Sequence, residues 1–199
     1  MIQSNKIGKS TTHIRKMVVI SMLSGISLFL GLSGLGFITL PGFRLTIMHI
    51  PVIIGGIIEG PIVGAIVGLI FGLFSMYQNF TAPGPTSFIF WNPIIALIPR
   101  ILVGVVSFYV YNFLKNKIKN PKFTIGISAI VATLTNTIGV LGLTYIIYLE
   151  NYAKTLGIST DIVGATLFAT GVGNGIPEAL LSAVITIPVI TSVLKIKKK

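Results

Sequence analysis

The chain has 199 residues, of which 53% are hydrophobic and only 10% charged, with no cysteine and a formal net charge of +11. Soluble domains carry about 25% charged residues, so this composition excludes a soluble globular protein and points to an integral membrane protein. The lack of cysteine excludes a disulfide framework, thiol chemistry and cysteine-bound metal.

Residues 1–16 form a basic arm carrying Lys6, Lys9, Arg15 and Lys16. A first span is expected over 17–36, rich in small residues, and its length suits a hydrocarbon core of roughly 30 Å. No small-residue cleavage site stands out after the arm, so the span is read as retained. A loop with Pro41, Gly42, Phe43 and Arg44 leads to a short second span, 45–58. It closes at Glu59-Gly60-Pro61, where glycine permits a turn and proline suits the first position of the next helix. The third span, 62–77, holds Gly64, Gly68 and Gly72 at four-residue spacing. The polar, proline-rich stretch 78–90 reads as a loop with aromatics suited to an interface.

The fourth span, 91–114, has Pro93 near its start and Pro99 inside it. Lys115, Lys117, Lys119 and Lys122 mark a hinge over 115–122. The fifth span covers 123–148, and the loop 149–161 carries Glu150, Lys154 and Asp161. The sixth, 162–194, is interrupted by Gly171, Gly173, Gly175, Pro177 and Pro188. The tail 195–199 ends the chain with Lys195, Lys197, Lys198 and Lys199.

Basic residues in short loops mark the cytoplasmic side of a membrane protein. Three basic clusters on one side require an even number of spans between each pair. The expected fold is therefore all-α, a six-transmembrane-helix bundle with both termini cytoplasmic, forming one transmembrane domain over 1–199. The clusters border apolar spans rather than base-stacking aromatics. They read as topology signals and lipid contacts, and nucleic acid is excluded as a partner. The two halves show no repeat of the kind many secondary transporters carry.

Topology leaves Arg44, Arg100 and Lys154 unexplained. Arg100 falls deep in the fourth span, where an arginine costs on the order of 2.5–3.5 kcal/mol. It needs a carboxylate or phosphate matched to its fork, an aqueous cavity, or an internal ion pair, for which Glu178 is the candidate. Asn136 and Asn174 are each suited to a substrate hydroxyl or amide, or to interhelical hydrogen bonding. Asn174 and Glu178 stand four residues apart on one helix face. His49 is a candidate for substrate contact or packing. No metal is expected, because no second ligand stands at ligand spacing. Phe43, Trp91, Asn92 and Asn79 sit where an outer mouth would be, with Trp91 also suited to anchor at the interface. Ser21 and Gly25 form a small-x-x-x-small face that permits close helix approach. No phosphate-loop pattern and no nucleophile beside a base occurs, so the chain is not expected to be an enzyme.

Two stretches carry a family resemblance: MHIPVIIGGIIEGPIVGAIVGLIFGLFSM, Met48 to Met76, and PTSFIFWNPIIALIPRILVGVVSFYVY, Pro85 to Tyr111. They resemble the substrate-binding S components of energy-coupling factor vitamin transporters, most of all the pantothenate type. Folate, pyridoxine and hydroxymethylpyrimidine types are the alternatives, with an autonomous secondary transporter further off. The resemblance implies a vitamin bound at the outer face, and a membrane T component with two cytoplasmic ATPases as partners. It also implies delivery by toppling, with ATP hydrolysis in the partners and no cofactor in this chain. It implies docking through the first span, where Ser21 and Gly25 stand in place of a pair of alanines. A pocket built from the first outer loop and spans four to six maps to the neighbourhood of Phe43, Trp91, Asn92, Arg100, Asn136, Asn174 and Glu178.

Overall fold

The structure, a computed structural model, describes residues 2–40 and 43–197. Pro41, Gly42, Lys198 and Lys199 lie outside the described residues, as do the side chains of Lys6, Lys9, Phe43, Arg44 and Lys197. Helix α1 spans Ile2–Leu32, so the basic arm is helical and continuous with the first apolar segment. Strands β1 (Phe37–Leu40) and β2 (Phe43–Thr46) pair antiparallel, Phe37 opposite Thr46. Then follow α2 (Ile50–Glu59), α3 (Pro61–Thr81), the single turn α4 (Phe88–Trp91) and α5 (Pro93–Leu114). Helix α6 runs over Pro121–Leu156 and α7 over Thr160–Thr170. A π-turn at Gly171–Gly175 leads into α8, Ile176–Lys197.

Proline starts α3, α5 and α6, where its missing N–H costs nothing. The Asn92 and Asn120 side chains cap the last two by accepting from the N–H groups of Ile94 and Lys122. Gly60, at φ 106°, makes the turn between α2 and α3 that side-chain-bearing residues rarely adopt.

The all-α membrane class holds, with one short hairpin added between α1 and α2. Leu45 and Thr46 belong to β2 rather than to a second span, and the helix starts at Ile50. Alternating Phe, Leu and Thr around a Pro-Gly pair suits a strand better than a helix. Among the described residues, five helices are long and apolar enough to cross a membrane: His13–Leu32, Pro61–Thr81, Pro93–Leu114, Pro121–Leu156 and Thr160–Ile196. The expected second span, α2, is an apolar helix shorter than these five. Its ten residues rise only about 15 Å, roughly half a hydrocarbon core. Two loops are also shorter than expected. Helix α3 extends to Thr81, and α6 continues to Leu156 through a break at Tyr148 (φ −126°, ψ 24°).

Helices α2, α3 and α5 meet along glycines. A Cβ on Gly64 would lie 2.8 Å from the Cα atoms of both Gly104 and Gly56. The backbones therefore pack as closely as chains can. Gly64, Gly68 and Gly72 face Gly104, Arg100 and Ala96 in turn along the antiparallel α5. The four-residue glycine spacing is thus an internal packing seam. Around it lie Val52, Ile53, Val63, Val67 and Val103, all buried.

Candidate binding site

Because α2 is short and α3 is long, the second half of α3 rises beyond the start of α2. A cavity of about 470 Å³ occupies that space. Phe71, Ser75 and Gln78 on α3 line it, with Met48 at the foot of α2 and Phe37 and Thr46 from the hairpin. The segment Gly84–Ser87 and Phe90 close another side, and Arg100 supplies the cavity's cation.

Arg100 is 5% exposed. Its position follows from the residue before it. Pro99 has no N–H to donate to the Ile95 carbonyl, which is therefore left free inside the helix. Arg100 Nη1 donates to that carbonyl at 2.8 Å. The guanidinium carbon lies 4.8 Å from the centre of the Phe90 ring and 5.8 Å from that of Phe71, within cation–π range. Its Nε is buried with no partner. Gly139 on α6 gives the Pro99 ring room, since a Cβ there would lie 3.1 Å from the proline.

Arg100 and Glu178 do not form a direct ion pair. Among the described residues the pair is instead Arg15 with Glu59, 2.5 Å apart at the opposite end of the bundle. The charge of Arg100 remains within electrostatic reach of Glu178 and His49. Glu178 Oε1 accepts from the Thr46 N–H at 2.7 Å, tying the hairpin to α8. The carboxylate thus holds a strand whose Thr46 forms part of the cavity wall.

The remaining sequence candidates separate into groups. His49 is wholly buried at the N-cap of α2, and its Nε2 shares a 3.0 Å hydrogen bond with Thr133 Oγ1. Its Nδ1 and the side-chain oxygens of Asn136 and Asn174 are buried without partners. None of these three residues lines the cavity. Asn174 lies in the π-turn, where the expected loosening at GVGNGIP is realised as a bulge just before Pro177. Asn79 lines the cavity, but its side chain is already engaged. It donates to the Ser75 carbonyl at 2.8 Å and accepts from Ser87 Oγ at 2.7 Å. Trp91 donates to the Asn79 carbonyl at 3.1 Å and stacks on Phe80 at 5.6 Å. Trp91 and Asn92 line a different cavity, on the far side of α4. Phe43 lies in β2, its side chain outside what is described. Ser21 and Gly25 are exposed on α1, and a Cβ on Gly25 would meet nothing within 4 Å.

Sequence reasoning missed Phe71, Ser75 and Gln78. They stand at spacings of four and three, one stripe of α3 beside the glycine stripe. That periodicity is readable, but only the shortness of α2 shows that the stripe faces a cavity.

Five candidate membrane-spanning helices among the described residues, with a hairpin beside an arginine-bearing cavity of small-molecule size, mark a helical membrane protein with a candidate ligand site. The family described as "ECF transporter, substrate-specific component" matches residues 15–190, and the chain belongs to it. It is similar to the pantothenic acid transporter PanT of Lactococcus lactis subsp. cremoris, at 32% identity over 75% of this chain and 78% of that protein. The pantothenate transporter PanT of Leuconostoc mesenteroides subsp. mesenteroides is 33% identical, over 92% and 89% of the two chains.

Proposed function

We propose that this chain binds pantothenate at the outer membrane face and delivers it to an ATP-driven import complex. The observation that carries the reading is Arg100, a buried cation on a small cavity with one N–H unpartnered. Pantothenate offers a carboxylate for that fork, with hydroxyls and an amide besides. The cavity volume falls in the range of roughly 300–1,000 Å³ usual for small-molecule sites. Ser75 and Gln78, on the cavity wall, are assigned to the ligand's hydroxyl and amide groups. The similarity to proteins named as pantothenate transporters supports the choice of vitamin.

In this reading α2, with the segment leading into it, completes a sixth crossing, so both termini and the lysine hinge are cytoplasmic and the hairpin end faces outward. Ser21 and Gly25 dock on a membrane T component carried by two ATPases, and toppling of the bundle presents the vitamin inward. Binding of radiolabelled pantothenate to the purified chain tests the site. Arg100→Ala should weaken binding roughly ten- to a hundredfold, as loss of a charge-assisted hydrogen bond predicts. Unchanged affinity would remove Arg100 from the site, and a wild type that binds none would remove pantothenate. Co-purification with a T component and two ATPases tests the import complex. Uptake by this chain alone in liposomes would overturn it.

A further inference from the structure

The single turn α4 separates two cavities. Ser87 and Phe90, three residues apart, line the Arg100 cavity, whereas Phe88 and Trp91, also three apart, line a second one of about 600 Å³. The opposite wall of this second cavity is the end of α6 at and beyond the break at Tyr148, contributing Tyr148, Asn151, Lys154 and Thr155. Phe88 packs edge-on against Tyr148, with ring centres 5.5 Å apart. The Asn92 amide and the Tyr148 hydroxyl are 3.5 Å apart, at the long limit of a hydrogen bond, so both keep capacity for another partner. Lys154 is exposed and, among the described residues, has no ion-pair partner. Glu150 and Asp161, the acids nearest it in sequence, do not line the cavity.

We propose that this second cavity is an encounter site for the same class of ligand as the Arg100 cavity, a small carboxylate with hydroxyl and amide groups. The proposal rests on the functional reading above. Lys154 takes the carboxylate, Asn151 and Tyr148 take the polar groups, and the Phe88 and Trp91 rings cover the apolar part. Two cavities, each with one cation, then lie in series on the two faces of one helical turn. An exposed cation at a mouth raises association rate more than it slows dissociation, and its effect fades with salt. Lys154, unexplained by topology, thereby acquires a role.

Trp91 is the only tryptophan in the chain and lines this cavity, so its fluorescence is a native reporter. Stopped-flow mixing of pantothenate with the full chain, in nanodiscs of neutral lipid, should give a fast second-order Trp91 signal. Lys154→Gln should slow that phase roughly three- to tenfold and flatten its salt dependence, with dissociation unchanged. Lys154→Arg should restore it. Arg100→Ala should keep the fast phase while losing tight binding. A Lys154→Gln protein with normal association rate and salt dependence, in a chain that still binds pantothenate tightly, would overturn the encounter site alone. A wild type that binds no pantothenate would overturn both readings. Repeating the measurement in anionic lipid separates the other source of negative charge. A fast phase abolished there would assign the cavity to lipid headgroups and sink the ligand role.

Discussion

The two halves of the bundle are built by opposite means. Helices α2, α3 and α5 meet glycine to backbone, with almost no room for change. Helices α6, α7 and α8 carry a broken turn at Tyr148 and a π-turn at Gly171–Gly175. Among the described residues, most of the buried polar side-chain atoms without partners also fall there: those of Asn136, Asn174, Ser182, Thr186 and Thr191. The first half is a rigid mount, and it fixes the backbone that bears Arg100. The second half holds spare hydrogen-bonding capacity and helix irregularities of the kind found at functional sites. The Arg100 cavity belongs to the first half: the hairpin, α3, the segment 84–90 and Arg100 line it, and the second half reaches it only through the Glu178 hydrogen bond to Thr46.

The comparison is broken most severely by Gly68→Ala. Its new Cβ would lie 3.1 Å from Ile101 Cα and closer still to the Arg100 carbonyl. Overpacking of this kind costs about 1–3 kcal/mol, so the variant should lose thermal stability and, by moving Arg100, ligand affinity as well. Gly142→Ala on α6, where nothing lies within 4 Å, should leave both unchanged. Thermal melts in detergent with parallel binding assays check the pair, and equal losses would erase the distinction between the halves.

A more local effect, of similar size, is expected where the halves are tied together. Glu178→Ala removes the acceptor for the Thr46 N–H, a charged hydrogen bond worth about 1.5–3 kcal/mol. Hydrogen exchange at Thr46 should then accelerate, while Glu178→Gln, which keeps an acceptor oxygen, should largely preserve protection. Equal exchange in all three proteins would mean that the hairpin is held by other contacts.

The smallest change sharpens the account of Arg100. Pro99→Ala restores an N–H that can donate to the Ile95 carbonyl, in competition with Arg100 Nη1. Stability should stay within about 1 kcal/mol of the parent, because one donor replaces another. Affinity for an anion should fall a few-fold as the guanidinium loses its anchor. A variant with unchanged affinity would show that Pro99 has no part in positioning Arg100.

The sequence by itself determined the membrane class, the long apolar helices α1, α3, α5 and α6, the family, and the depth of Arg100. These follow from local quantities: hydropathy over a turn or more, proline and asparagine at helix starts, and the cost of one charge in an apolar segment. The hairpin was hidden because four-residue strands between longer apolar stretches read as the end of one helix and the start of the next. The shortness of α2 was hidden with it, and so was the cavity that this shortness opens beside Phe71, Ser75 and Gln78. Only the tertiary structure decided that Glu178 reaches a strand 132 residues away rather than Arg100. It also decided that Trp91 and Asn92 line a cavity other than the arginine's. Such pairings depend on which backbones approach one another, and here glycines set that approach. A glycine pattern shows that a close contact exists; the folded chain decides with what.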